Sequence, residues 1–148
     1  MMTYGKFSIM IIISFFIMYL VMFLNIDQLS HYHSSINRFY MAILMVSPMA
    51  VVMMLLMGKM YPIKKTNISI IAIALIVFIV TLAGLRSQTP IGDVQYMKAM
   101  IPHHSSAILN SKAANIKDPE VRKLADQIIQ SQEKEIAEME AILERMEN

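Results

Sequence analysis

Apolar positions follow one pattern up to about residue 85 and another beyond it. In the first part they form unbroken runs; in the second they recur at helical spacing among charges. Three runs stand out: Phe7 to Leu24, Phe39 to Leu56 with an extension to about Met60, and Ile68 to Leu85. A bilayer core needs roughly 20 apolar helical residues, within a range of about 17–25. Each run meets that length with its flanks, so the pattern predicts three transmembrane helices. Three such runs in so short a stretch argue against buried helices of a soluble fold. The first run is long for a signal-peptide core, and Asn25-Ile26-Asp27 offers no small-residue cleavage site, so it reads as a retained span. Pro48 frees the carbonyl of Leu44 and predicts a kink in the second span.

Residues 86–92 read as a linker. Asp93 can then cap a helix running to about Asn115, followed by a turn at Asn115-Ile116-Lys117. Asp118-Pro119-Glu120 is a strong helix start, with an N-cap acid, proline at the first helical position and an acid near the positive end of the dipole. That helix should reach about Glu147. Its inward stripe is Val121, Ala125, Ile128, Gln132, Glu135, Met139, Ile142 and Met146, widened by Leu124, Ile129, Ile136 and Leu143. The charged side carries Lys134 and Glu138 four residues apart. The expected fold is all-α: a three-span membrane domain (1–85), a linker (86–92) and an antiparallel helical hairpin (93–148). With its turn near Ile116, the hairpin sets His104 opposite about Ile128, Met100 opposite Gln132, Met97 opposite Glu135 or Ile136, and Asp93 opposite Met139. A hairpin this short cannot bury both of its faces alone. A homodimer forming a four-helix bundle is the expected partner; the membrane domain is the alternative.

Charge supports the division and orients it. Residues 1–85 hold five basic side chains (Lys6, Arg38, Lys59, Lys64, Lys65) and the single acid Asp27, whereas residues 86–148 hold eight basic and ten acidic ones. These give +4 and −2, which sum to the net +2 of the chain. The loop between spans two and three carries three Lys and should remain cytoplasmic. The N-terminus is then cytoplasmic too, and both the hairpin and the Asn25–Arg38 loop lie outside, in a bacterium on the periplasmic side of the inner membrane. Nothing in the chain points to nucleic acid.

The chain has no Cys and 16 Met, so a soft metal could be held only by thioether and imidazole. The informative segment is Tyr96-Met97-Lys98-Ala99-Met100-Ile101-Pro102-His103-His104. At 100° per residue, Met97, Met100 and His104 share an arc of about 60°, while His103 points to the side. Met139 can close a site at the open end of the hairpin. Such a donor set suits Cu(I), and Ag(I) by the same softness. The competing reading is a helical interaction module in which Met and His fill the core. His31 and His33 precede span two, and Met41, Met45, Met49, Met53 and Met57 follow at four-residue spacing. That stripe reads first as packable helix surface in lipid and second as a soft-metal ladder. A di-iron centre needs Glu-x-x-His pairs, and the chain has none. No catalytic triad, phosphate loop or paired catalytic acids are evident, so no enzymatic activity is expected.

The segment from Asp93 to Leu143 resembles the bacterial, ferritin-like helical family known as domain of unknown function 305. The resemblance rests on Met100-Ile101-Pro102-His103-His104, on Asp93 and Tyr96 upstream, on Asp118-Pro119-Glu120-Val121, and on Glu135-Ile136-Ala137-Glu138-Met139. It implies extracytoplasmic copper or silver handling through Met97, Met100, His103, His104 and Met139. Two positions depart from the family pattern. Asn110 stands where members often have Met, and an aromatic residue near the end of the last helix is missing.

Overall fold

The computed structural model of the chain describes residues 3–147, so Met1 and Met2 of the expected membrane domain and Asn148 of the expected hairpin lie outside the described residues. Those residues form five α-helices and no strand. The helices are α1 (Tyr4–Val21), α2 (Ile36–Met57), α3 (Lys64–Ser87), α4 (Asp93–Ala113) and α5 (Pro119–Glu147), with 3-10 turns at Leu29–His31 and Gly58–Met60. Three segments are long and apolar enough to cross a membrane: Tyr4–Val21, Ile36–Met60 and Lys64–Ser87. They begin about three residues before the expected runs, because polar residues such as Lys64 and Lys65 sustain a helix as readily as apolar ones.

The chain divides into two compact units, one of residues 1–22 and 37–90, the other of residues 23–36 and 91–148. Residues 23–36, expected within the 1–85 membrane domain, group instead with α4 and α5.

In the first unit the core gathers Phe7, Ala50, Met54, Tyr61 and Ala74. Apart from Met54, the side chains that α2 turns inward are small or short: Ala42, Val46, Ser47 and Ala50. Small residues let helices approach closely where no hydrophobic effect separates helix from lipid. The same logic holds at Gly84, where a Cβ would lie 3.3 Å from the Tyr40 ring. The Tyr4 hydroxyl lies 2.9 Å from Asn67 Oδ1 and accepts from the Ile63 amide at 3.1 Å. These bonds hold the start of α1 beside the start of α3, so Lys6 and the three-Lys loop share one end of the unit. α2 runs unbroken through Pro48, and the Ser47 hydroxyl donates to the Ile43 carbonyl at 2.8 Å beside it.

In the second unit Asp118 caps α5 as expected, its Oδ1 accepting from the amides of Glu120 at 2.9 Å and Val121 at 3.0 Å. α4 and α5 pack antiparallel. Arg122 donates to the Ser111 carbonyl, His104 meets Glu135, and Lys98 pairs with Glu147. Met97, Ile101, Ile108, Ile136 and Leu143 are buried between the helices. The register differs from the expected one. His104 is level with Glu135, not Ile128, two turns further along α5. The cause is the connection: Ala114 leaves α4 in an extended conformation, with ψ of 131°, rather than closing a tight turn at Ile116.

Candidate metal centre

α4 continues through Pro102, and this brings a buried His104 to the seam with α5. Its Nδ1 lies 2.9 Å from the Met100 carbonyl oxygen, which can only accept, so Nδ1 carries a proton and donates it. Its Nε2 lies 2.7 Å from Glu135 Oε2. The other oxygen of Glu135 accepts from the Ser131 hydroxyl at 2.7 Å. Ser131, and after it His104, hold the Glu135 carboxyl below the usual carboxylate range. A hydrogen bond between Nε2 and this carboxyl group needs one proton between them, so both ring nitrogens of His104 are engaged.

The thioethers of Met97, Met100 and Met139 lie on the same helix pair as this histidine. Met97 is 6% exposed within the α4–α5 core, and Met139 packs against the same cluster. Met100 is half-buried, one turn before His104, and Met139 is one turn beyond Glu135. The antiparallel register therefore sets Met100 and Met139 at one level, where the sequence placed Met139 opposite Asp93. His103 is exposed, its ring 6.1 Å from that of His104 and tilted by 71°. Thus Met97, Met100, His104 and Met139 are brought to one stretch of the helix pair, and His103 faces out beside them. Among the described residues no group of three or more His, Cys, Asp or Glu is arranged to hold a metal. Any metal here would depend on sulfur. Glu135 belongs to the motif that suggested the family, yet only the observed register reveals it as the partner of His104.

Residues 23–36 are fastened to the same helices. Ser105, fully buried, accepts from the Asp27 amide at 2.7 Å and faces His31 Nδ1 at 2.8 Å. Asn25 donates to the Ser106 hydroxyl at 2.6 Å, and Gln95 accepts from the Ile36 amide at 2.9 Å. Lys112 bridges Asp27 at 3.0 Å and Glu133 at 3.2 Å, and these bonds raise its pKa. His31 is thus committed to Ser105. His33 lies instead in an open hollow with Glu140, Glu144 and Glu147. The two serines after the His pair are the signal that sequence reasoning passed over: their hydroxyls are docking points for a segment some 75 residues away.

The family described as domain of unknown function (DUF305) matches residues 84–148, which hold all of α4 and the described α5. A protein of Acanthamoeba polyphaga mimivirus, named Uncharacterized protein L153, is 42% identical over 139 residues, covering 92% of this chain and 90% of its own. The chain belongs to the DUF305 family. The viral relative aligns far beyond the DUF305 segment, so its likeness extends into the apolar helices as well. No solved structure matches. Within this DUF305 chain, the motif Met100-Ile101-Pro102-His103-His104 spans the level at which α4 meets Glu135.

Proposed function

We propose that the chain is a membrane-tethered soft-metal binding protein, taking Cu(I) or Ag(I) at the α4–α5 pair for metal tolerance or homeostasis. One observation carries this reading: His104 shares one stretch of the pair with Met97, Met100 and Met139. Its Nδ1–H is held by the Met100 carbonyl, which fixes the tautomer and leaves Nε2 for the metal. The metal would then replace the proton between Nε2 and Glu135, and Glu135 would swing aside. His103, exposed beside the site, is the fifth candidate ligand. The three-Lys loop supports a cytoplasmic N-terminus, with α4 and α5 outside. In bacterial members this side would be the periplasmic face of the inner membrane.

The second reading is a helical interaction module with Met and His as core residues. Burial of Met97 among Ile101, Ile108, Ile136 and Leu143 favours it. Titration of the full-length protein in detergent with Cu(I), against a competing chromophoric chelator, separates the two. The metal reading expects tight binding that His104→Ala weakens at least tenfold. Unchanged affinity in that variant, with helical content retained, sinks the metal reading and leaves the module.

A further inference from the structure

α5 has three sides. One seats Ala125, Ile136 and Leu143 inward. The next carries Glu133, Ala137 and Glu140, which line a hollow with Gln28 and His31 of the docked segment. The third carries Val121, Leu124, Ile128, Ile142 and Met146, all exposed in the full chain. On a helix these five lie within an arc of about 60°. An exposed apolar strip of this kind, interrupted near its middle by Ser131 and Glu135, calls for an occupant.

We propose that the occupant is a second copy of this chain, with the two α5 helices antiparallel about a two-fold axis near Glu133 and Lys134. A two-fold interface must be complementary to itself, so that residue i meets j and j meets i. The strip has that property. Counted outward from the axis, Val121 mirrors Met146 and Leu124 mirrors Ile142, while Ile128 falls opposite Met139, half-buried at the edge of the strip. The polar break in the strip, Ser131 and Glu135, mirrors itself. At the rim, exposed Glu120 mirrors exposed Arg145, giving two pairs of opposite sign. A parallel arrangement would set like charge on like charge instead. A lipid surface fits less well, because α5 holds eight acidic and four basic side chains, a net −4, where amphipathic membrane helices are basic. Exposed Tyr96 and His103 of α4 lie on this same side, away from the segment docked at Ser105 and Ser106. The proposal stands whether or not metal binds.

The absence of Cys makes the test clean. Full-length protein in detergent, carrying both Leu124→Cys and Ile142→Cys, is oxidised and run on a non-reducing gel. Within one chain the two positions are 18 residues apart on a helix, roughly 27 Å, far beyond disulfide reach. Any bond is therefore between chains. The double variant should run as a covalent dimer, while each single variant, whose copies lie equally far apart, stays monomeric. Glu120→Arg should weaken self-association at least several-fold, and Glu120→Arg with Arg145→Glu should restore it. Single variants that cross-link as well as the double one overturn the antiparallel geometry. A double variant that does not cross-link, in wild-type-like protein that light scattering finds monomeric, overturns the dimer.

Discussion

The two units use the same residue, methionine, on different terms. In the first unit the face of α2 that packs inward is Ala42, Val46, Ala50 and Met54, and the Met41 to Met57 stripe runs beside it, half-buried or exposed. In the second unit Met97 and Met139 lie in a packed seam beside a histidine with both ring nitrogens engaged. Spacing is alike in the two places, but what stands next to the sulfur is not. A thioether with only alkyl neighbours fills space; one that shares a wall with imidazole has the means to hold a soft cation.

The largest expected effect comes from the cores. Ile101 is fully buried in the second unit, whereas Leu56 of α2 is 80% exposed. Ile101→Ala should destabilise α4–α5 by about 2–5 kcal/mol through lost burial and a residual cavity. Leu56→Ala, on an exposed face of a helix apolar enough to cross a membrane, should cost about 1 kcal/mol or less, since few protein contacts are lost there. Thermal unfolding in detergent, followed by circular dichroism, compares the two. Similar losses would break the contrast between a packed core position and an exposed apolar one.

Next comes the methionine contrast itself. Met100→Leu combined with Met139→Leu keeps volume and removes both sulfurs, and should lower Cu(I) affinity at least tenfold in the chelator competition. Replacing Met41, Met45, Met49, Met53 and Met57 by Leu together should leave that affinity within about twofold. The reverse outcome would move the site from the helix pair to the ladder.

Much of this architecture was legible beforehand, and the reason is physical. Long charge-free runs, the Asp118-Pro119 cap and the apolar stripe of α5 act locally, so the sequence displays them directly. The seat of His104 was not legible in the same way. Its level against Glu135 depends on how Ala114 leaves α4, a single backbone angle that composition does not report. The attachment of residues 23–36 was hidden for a related reason. Two serine hydroxyls and one histidine bind across about half the chain, and no periodicity announces such a bond.

That attachment gives the third prediction. Ser105→Ala removes the acceptor of the Asp27 amide and the partner of His31 while leaving both in place. Buried polar groups left unpaired cost about 1–3 kcal/mol. Hydrogen exchange across residues 25–36 should therefore quicken markedly, with exchange in the α1–α3 helices unchanged. Equal quickening everywhere would mean that the segment is not held locally.

The smallest effect concerns acid. Burial pushes the His33 pKa below its ordinary value, against the pull of Glu140 and Glu147 and with the help of Lys98 and His31. The neutral ring is thus favoured when the segment is docked, and the charged ring when it is free. Where a folded-state value is depressed, the stabilisation is present above the free value and is lost as pH falls through the folded one. Docking of residues 28–36 should be firm at neutral pH and should loosen below the ordinary histidine range. Hydrogen exchange corrected for its intrinsic pH dependence reads this directly. His33→Asn, which cannot gain the charge, should flatten the acid response of this segment and leave helices α1–α3 as they were. An acid response that persists in His33→Asn would transfer the effect to the carboxylates around it. Glu140, Glu144 and Glu147 would then have to lose a useful charge on protonation, and the hollow they share with His33 would owe its hold on the segment to them.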